Sequence, residues 1–439
     1  MSAITRPPGP GSALTGRRRA FLDAPAEFLT ELQRTYGDVV YFRVGLRDNY
    51  LLAHPDDVKE VLALRWHRFH KGPALQDGRL LAGENLFNIE GEVHRRHRKL
   101  IQPAFHRQRL GGFGRVMVDE ARSLADSLRE GEVRDVADDM AHLTLGVAVR
   151  TLFGSAMTEA QREAVTSYVR VLLGGMFTRT GPRLANLGRE DYRRALEESD
   201  ALVDGMIRDR QEHPGEREDL LSMLIEARDE AGSGFGDREL RDEVAAIIVA
   251  GHETTSNALT WTWHLLSQNP EAERRMHREI DDVLGDRLPT FDDVRDLPYV
   301  DGVFTEALRT IPPIWAIDRT VVDGHQAGGY EIPAGSVVFT SPWVTHHDAR
   351  WFEEPEHFEP DRWSPDRRRS RTGFSYFPFG GGPRVCVGEA FARTEAVLIL
   401  ATVGRRWRLR LAPDHAIETE AGITLRPKHG LRMVPERRT

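Results

Sequence analysis

The stretch from Asp237 to Ser267 sets the first limit on the fold. Its helical pattern is unusually long for a globular chain, and its segment VAAIIVAG is apolar on all sides. Such a helix must run through a core, because a surface helix keeps a polar face for water. Other helical patterns are available to surround it. They run from Arg115 to Leu128, Val136 to Leu152, Glu159 to Leu173, Asp191 to Glu212, Pro270 to Leu284 and Leu297 to Arg309, with a last one from near Val387 to Arg405. Early strand-like runs, Val39 to Val44 and Tyr50 to Ala53, suggest a small sheet. Past Pro312 the chain turns to strand and loop. The expected fold is mainly α with a minor β region. With no internal repeat and no low-complexity linker, residues 1–22 read as a flexible Pro-, Gly- and Arg-rich lead-in and residues 23–439 as a single domain.

The formal net charge of -8 argues against nucleic acid as the main partner. The N-terminus lacks the apolar core of a signal peptide, and no window reaches the length of a membrane span. A cytoplasmic protein without a membrane anchor is expected. The chain has 1 cysteine, which excludes an intramolecular disulfide and a zinc site built on several thiolates.

That cysteine, Cys386, sits in FPFGGGPRVCVG, where a tight glycine–proline loop meets the last predicted helix. The N–H groups of Val387, Gly388 and Glu389 have no partner inside that helix, so they can donate to a sulfur held there. Together with the helix dipole they favour thiolate over thiol. The long helix carries a second unusual group, Gly251-His252-Glu253-Thr254-Thr255. A mid-helix glycine costs about 1 kcal/mol against alanine. Thr254 can bond back to a carbonyl one turn earlier and open the helix locally, leaving room for a small ligand. His252 reads as a polar contact or helix filler, not a metal ligand.

These segments resemble the cytochrome P450 monooxygenases. Their heme loop, Phe-x-x-Gly-x-Arg-x-Cys-x-Gly, falls on Phe379, Gly382, Arg384, Cys386 and Gly388. The segment AGHETT, Ala250 to Thr255, is similar to the family's oxygen-activating pattern. The resemblance implies a P450-like fold around a buried heme b, with Cys386 as axial thiolate, a ligand that favours O–O cleavage. It implies that Phe379 covers the sulfur side of the heme and that Arg384 binds a propionate. It further implies that Ala250 and Gly251 border the oxygen site, and that Glu253 and Thr254 deliver protons there. His94 and Arg98, in GEVHRRHRKL, take the places of the family's Trp/His-x-x-x-Arg, and Arg319 that of a further propionate arginine. Many members carry Trp where this chain has His94. Glu306 and Arg309, 3 apart, with Arg362 match the family's buried ion triad that fixes the cysteine loop.

The implied activity is reductive O2 activation with insertion of one oxygen into a hydrophobic small molecule such as a terpenoid, fatty acid or polyketide. Electrons would come from separate proteins, a ferredoxin or flavodoxin with its reductase. Arg95, Arg96, Lys99 and the run Arg367 to Arg371 are candidates for a docking charge, and a solvated loop is an equal reading of that run. Pocket candidates are Leu75 to Phe87, Tyr168 to Leu187, Val244 to Thr255, Ile314 to Ile317 and Ala421 to Thr424, with Phe87, Phe177 and Trp315 the bulky members. Two alternatives stay open. One is a peroxide-driven or isomerising heme-thiolate enzyme, which typically lacks the acid–alcohol pair. The other is a heme-binding sensor, which more often uses histidine.

Overall fold

The computed structural model describes residues 6–10, 21–44, 47–77, 79, 83–154, 160, 163, 190–213 and 219–438. The expected helix from Glu159 to Leu173 and the pocket segment from Tyr168 to Leu187 lie outside this set but for residues 160 and 163.

The longer helices are α1 (Pro25–Tyr36), α2 (Gly91–Ile101), α3 (Arg107–Ser127), α4 (Val136–Phe153), α5 (Glu190–Glu212), α6 (Leu220–Glu226), α7 (Asp237–Gln268), α8 (Pro270–Leu284), α9 (Pro298–Thr310) and α10 (Glu389–Gly404). Helix α7 crosses the middle of the molecule. Its C-terminal half is walled in on every side, with Leu259, Trp261, Trp263 and Leu266 without solvent contact. Helix α8 shows how the pattern positions a partner. Proline opens it at a site where no N–H is needed, and Ala272, Met276, Ile280 and Leu284 form one buried stripe. That stripe joins α3, α9 and α10 in the main core, which contains Met117, Leu259, Val303 and the fully buried run Ala396–Ala401. Burial of each such Leu, Val or Met stabilises by roughly 1.5–3 kcal/mol.

Strands β1 (Val39–Val44), β2 (Arg47–Leu52), β3 (Phe69–Lys71), β5 (Ile317–Val321) and β8 (Val337–Thr340) form one sheet in the order β1-β2-β8-β5-β3. The pairing of β2 with β8 is parallel, and Lys71 on β3 stands opposite Arg319 on β5. A three-stranded sheet, β4-β12-β9, joins β4 (Arg134–Asp135), β12 (Arg432–Arg437) and β9 (Trp407–Leu411). Two-stranded ladders are made by β6 (His325–Ala327) with β7 (Tyr330–Ile332), and by β10 (Thr419–Ala421) with β11 (Leu425–Pro427). Within the lead-in, residues 6–10 lie along β1: the Tyr41 N–H donates to Pro8 at 3.0 Å, and the Arg6 guanidinium sits 4.3 Å over the Tyr41 ring.

Helix α3 starts at Arg107, earlier than the expected Arg115, because its glycines serve packing. A Cβ at Gly114 would lie 3.1 Å from the Phe291 side chain and 3.6 Å from Leu398 of α10. Helix α10 starts at Glu389, with Gly388 as its cap, so Val387 belongs to the loop.

Glu306 on α9 is completely buried and accepts from both ends of the Arg309 fork at 2.9 Å. Arg362 reaches it at 3.3 Å, the Trp363 indole N–H at 2.8 Å and the Glu359 backbone N–H at 3.0 Å. Arg309 spends its remaining donors on the carbonyls of His346, Pro355 and His357. Glu306→Ala or Arg309→Ala therefore leaves an unpaired buried charge, a loss of roughly 3–5 kcal/mol. Either variant is expected as insoluble or heme-free protein. Normal expression and heme loading of both would show the cluster to be dispensable.

Candidate active site around the single cysteine

The loop entering α10 is shaped by glycines that no side-chain-bearing residue can replace without strain. Gly382 has φ +65° and lies against the backbone of Leu62 and Ala63: a Cβ there would come within 2.2 Å of the Leu62 carbonyl oxygen. Gly380, at φ +74°, supplies a second left-handed turn. The Cys386 N–H donates to the Phe379 carbonyl at 2.9 Å and the Val385 N–H to that of Gly382 at 3.0 Å, which closes the loop on itself. Phe379 also packs its ring on the main core. Gly388 has an ordinary backbone, and a Cβ there would stand 3.9 Å from the sulfur. Its role lies in its N–H, which points at the sulfur together with that of Glu389.

The Cys386 sulfur is accessible, yet protein surrounds it closely enough that burial pushes its thiol pKa up. Both observations hold for a group facing an enclosed space. The Gly388 N–H, Arg98 and the Glu389 N–H pull the pKa back, while the Glu389 carboxylate raises it, and burial wins. The two N–H groups favour thiolate as expected, and burial opposes them.

Cations converge on the same space from separate elements. Arg98 of α2 donates to the Val385 carbonyl beside the cysteine. Arg384 donates to the carbonyls of Phe69 at 2.7 Å and Trp66 at 3.2 Å and pairs with Glu90, leaving its Nε buried without a partner. Arg319 of β5 is buried and donates to the Asp318 carbonyl at 2.8 Å. Sequence reasoning missed Lys71, which is buried on β3 with its ammonium on the carbonyls of Leu86 at 2.6 Å and Ile89 at 2.7 Å. No local sequence pattern marks it, and it stands opposite Arg319 only through the pairing of β3 with β5. Burial, then Arg384 and Arg319, push the Lys71 pKa down to about 7 against the pull of Glu90. Burial and Arg384 likewise lower Arg319 to about 10. His94, buried on α2, is held neutral, its pKa driven to about 3 by burial and then by Lys71, Arg384 and Arg98. Among the described residues neither Arg98 nor Arg319 has a carboxylate at ion-pair distance. Desolvated cations gathered this way call for an anionic ligand.

The third wall is α7. Ile247, Ala250, Gly251 and Thr254 recur at helical spacing and are half-buried on a helix whose neighbouring residues are largely buried. A Cβ built on Gly251 meets no atom within 4 Å, so this face borders open space. Helix α7 stays α-helical throughout, so the expected local opening at Thr254 does not occur, although its hydroxyl does bond back to the Ala250 carbonyl at 2.6 Å. His252 turns away to Thr144 of α4, with Nδ1 3.0 Å from the hydroxyl, and is a polar contact as expected. Glu253 accepts from Thr424 at 2.6 Å, and burial raises its pKa. Trp315, expected in the pocket, is instead buried in the cluster with Phe42 and Leu425, its N–H donating to the Gly422 carbonyl at 3.0 Å.

The expected docking cations are mostly paired internally. Arg96 bonds Asp229, Lys99 bonds Glu230, Arg367 bonds Glu359 and Arg368 bonds Asp301. Arg371 lies 3.8 Å over the Trp363 ring.

A lone accessible thiol at a helix N-terminus, a cluster of buried and half-buried cations and an open helix face fit a heme with its iron on the sulfur and its propionates among the cations. Fold and site define a heme-thiolate protein. The family model for cytochrome P450 matches residues 7–432. Cyclooctat-9-en-7-ol 5-monooxygenase of Streptomyces melanosporofaciens is 38% identical over 92% of this chain and 89% of that protein. Pentalenene oxygenase of Streptomyces avermitilis is 33% identical over 97% of this chain and 96% of its own. The crystal structure of the cytochrome P450DA heme domain superposes with a TM-score of 0.90 at 28% identity, covering 100% of this chain and 99% of that one. The chain belongs to the cytochrome P450 family. It is a monooxygenase that uses O2 and electrons from redox partners, and its cofactor is heme with an axial cysteine thiolate, here Cys386. Among the described residues no helix is long and apolar enough to cross a membrane.

Gly382→Ala would drive a methyl into the Leu62 carbonyl from a left-handed backbone. The variant is expected to lose most of its heme content and several degrees of thermal midpoint. Full heme loading, read from the absorbance ratio of heme to protein, would mean that the loop tolerates another shape.

Proposed function

We propose that this enzyme oxidises a cyclic terpenoid at an unactivated carbon. The observation that carries this reading is the 38% identity, across almost the whole chain, to two Streptomyces melanosporofaciens proteins, the 5-monooxygenase above and cyclooctatin synthase. The half-buried face of α7 that carries Ile247, Ala250 and Gly251 supports a hydrophobic substrate. A spectral binding screen that sets cyclic terpene alcohols and hydrocarbons against fatty acids and polyketides tests it. Preferred binding and turnover of either of the latter would overturn it. We place the enzyme in the cytoplasm, with a ferredoxin or flavodoxin and its reductase as electron donors.

Bound at Cys386, the heme supplies reductive activation of O2 and transfer of one oxygen atom to the substrate. The chain's own residues divide the remaining work. Arg98, Arg319 and Arg384, with Lys71 and the neutral N–H of His94, hold the propionates, and the lowered pKa values of the buried bases are the support for this. Phe379 and Gly382 shape the loop, and the N–H groups of Gly388 and Glu389 steady the sulfur. Gly251 and Ala250 keep room above α7. Thr254 offers a hydroxyl at that open face, and Glu253 moves protons inward from its buried carboxyl. Glu306, Arg309 and Arg362 act structurally.

Cys386→Ser removes the chain's sole thiol. It should fold yet lose the red-shifted Soret band of the ferrous–CO complex that marks thiolate ligation. Retention of that band in the serine variant would remove Cys386 as ligand.

Thr254→Ala deletes only a hydroxyl and a methyl, so heme and substrate binding should persist. Product formed per NADPH consumed should fall while released hydrogen peroxide rises, and Glu253→Gln should slow NADPH oxidation itself. An unchanged product ratio in Thr254→Ala would assign proton delivery to other groups.

A further inference from the structure

Thr424 lies in the turn between β10 and β11 and is buried. Its hydroxyl donates to Glu253 Oε1 at 2.6 Å and accepts from Asn257 Nδ2 at 3.1 Å. Glu253 and Asn257 stand one turn apart on α7, so a hairpin residue is strung between two side chains of one helix face. The sense of the chain is fixed. An amide NH2 only donates, so the single hydroxyl proton is left for the carboxylate. The other carboxyl oxygen, Oε2, is buried and without a partner. Glu253 is thus tied by one oxygen and free at the other.

The hairpin is not a loose support. The Trp315 indole N–H holds the Gly422 carbonyl at 3.0 Å, the Trp261 indole N–H holds that of Leu425 at 2.9 Å, and the Leu425 N–H donates to Pro313 at 2.8 Å. Two tryptophans and a backbone bond therefore place Thr424 independently of Glu253. The same turn, Ala421 to Thr424, was a pocket segment on sequence grounds.

We propose that Thr424, oriented by Asn257, is a positioning residue that holds the Glu253 carboxyl with one oxygen anchored and the other free to take and pass on a proton. The hairpin thereby governs proton delivery. This rests on the reading of Glu253 as proton carrier. Three influences act on that carboxyl: burial raises its proton affinity, the Thr424 hydroxyl lowers it, and Arg426 on β11, itself paired with Glu420, lowers it further. The neighbouring His252 faces α4.

The test uses the heme-loaded enzyme and infrared difference spectra, with the Glu253 carboxyl band identified by its loss in Glu253→Gln. Thr424→Val keeps shape and removes the donor. The carboxylate loses its hydrogen bond, so the protonation midpoint should rise by about one pH unit, a tenfold gain in proton affinity. The carbonyl stretch should move to higher frequency, and product per NADPH should fall. Thr424→Ser should restore all three. If Thr424→Val does not load heme, Asn257→Ala leaves the hydroxyl present but unfixed and should shift the midpoint the same way by less. An unmoved midpoint in these variants, or an upward shift that serine fails to reverse, overturns the positioning role. If instead Glu253→Gln leaves NADPH oxidation unchanged, the proton-carrier reading itself falls and takes this inference with it.

Discussion

The carboxylate of Glu306 is the point from which the catalytic loop is hung. Its two oxygens take five donors: both arms of Arg309, the Arg362 guanidinium, the Trp363 indole and the Glu359 backbone. A buried ion cluster of this kind adds little net stability over a packed apolar one. What it fixes is position. Trp363 stacks near Tyr376, with ring centroids 4.3 Å apart, and the Tyr376 hydroxyl donates back to the Thr305 carbonyl of α9 at 3.0 Å. The Phe377 N–H donates to the neutral ring of His346, whose own carbonyl is held by Arg309. Phe377 is the first residue of the cysteine loop, so the path from Glu306 to Cys386 is continuous.

On the other side of the loop the balance is reversed. Arg98, Lys71, Arg319 and Arg384 come from α2, β3, β5 and the loop itself, and the lowered pKa values record how poorly they are compensated. Glu90 ties Arg384 and the Lys71 backbone, which answers part of the charge. The remainder couples these elements to an anionic ligand, so stability of the fold here and affinity for the cofactor are linked quantities. Glu306 makes a site that stands alone; the cation cluster makes one that is completed by what it binds.

Much of this was legible in the chain. Helix α8 begins and ends where proline and the apolar stripe put it, and β1 matches its strand-like run. The cysteine loop was legible because glycine, proline and cysteine each have a narrow range of physical uses. The misses have a common cause: a residue's partner lay far away in sequence. The helix expected from Arg115 starts at Arg107, and Gly114 within it lies close against Phe291. Trp315 reads as a pocket wall until the Gly422 carbonyl is found to hold it. Arg96 and Lys99 read as free charge until Asp229 and Glu230 arrive beside them. Lys71 carried no local pattern at all, and only the pairing of β3 with β5 sets it beside Arg319.

The expected opening of α7 at Thr254 has the most instructive correction. An unbroken helix turns about 100° per residue. Three consecutive side chains then point three ways: His252 to Thr144 of α4, Glu253 to Thr424 of the hairpin, and Thr254 to the open face it shares with Ile247, Ala250 and Gly251. A kink at this point would swing all three together and cost at least one partner. Open space is obtained instead from the missing side chain of Gly251, at about 1 kcal/mol of helix propensity. The acid can then be anchored on one wall while the alcohol stands at another, one residue apart, with the helix itself as the rigid link between them.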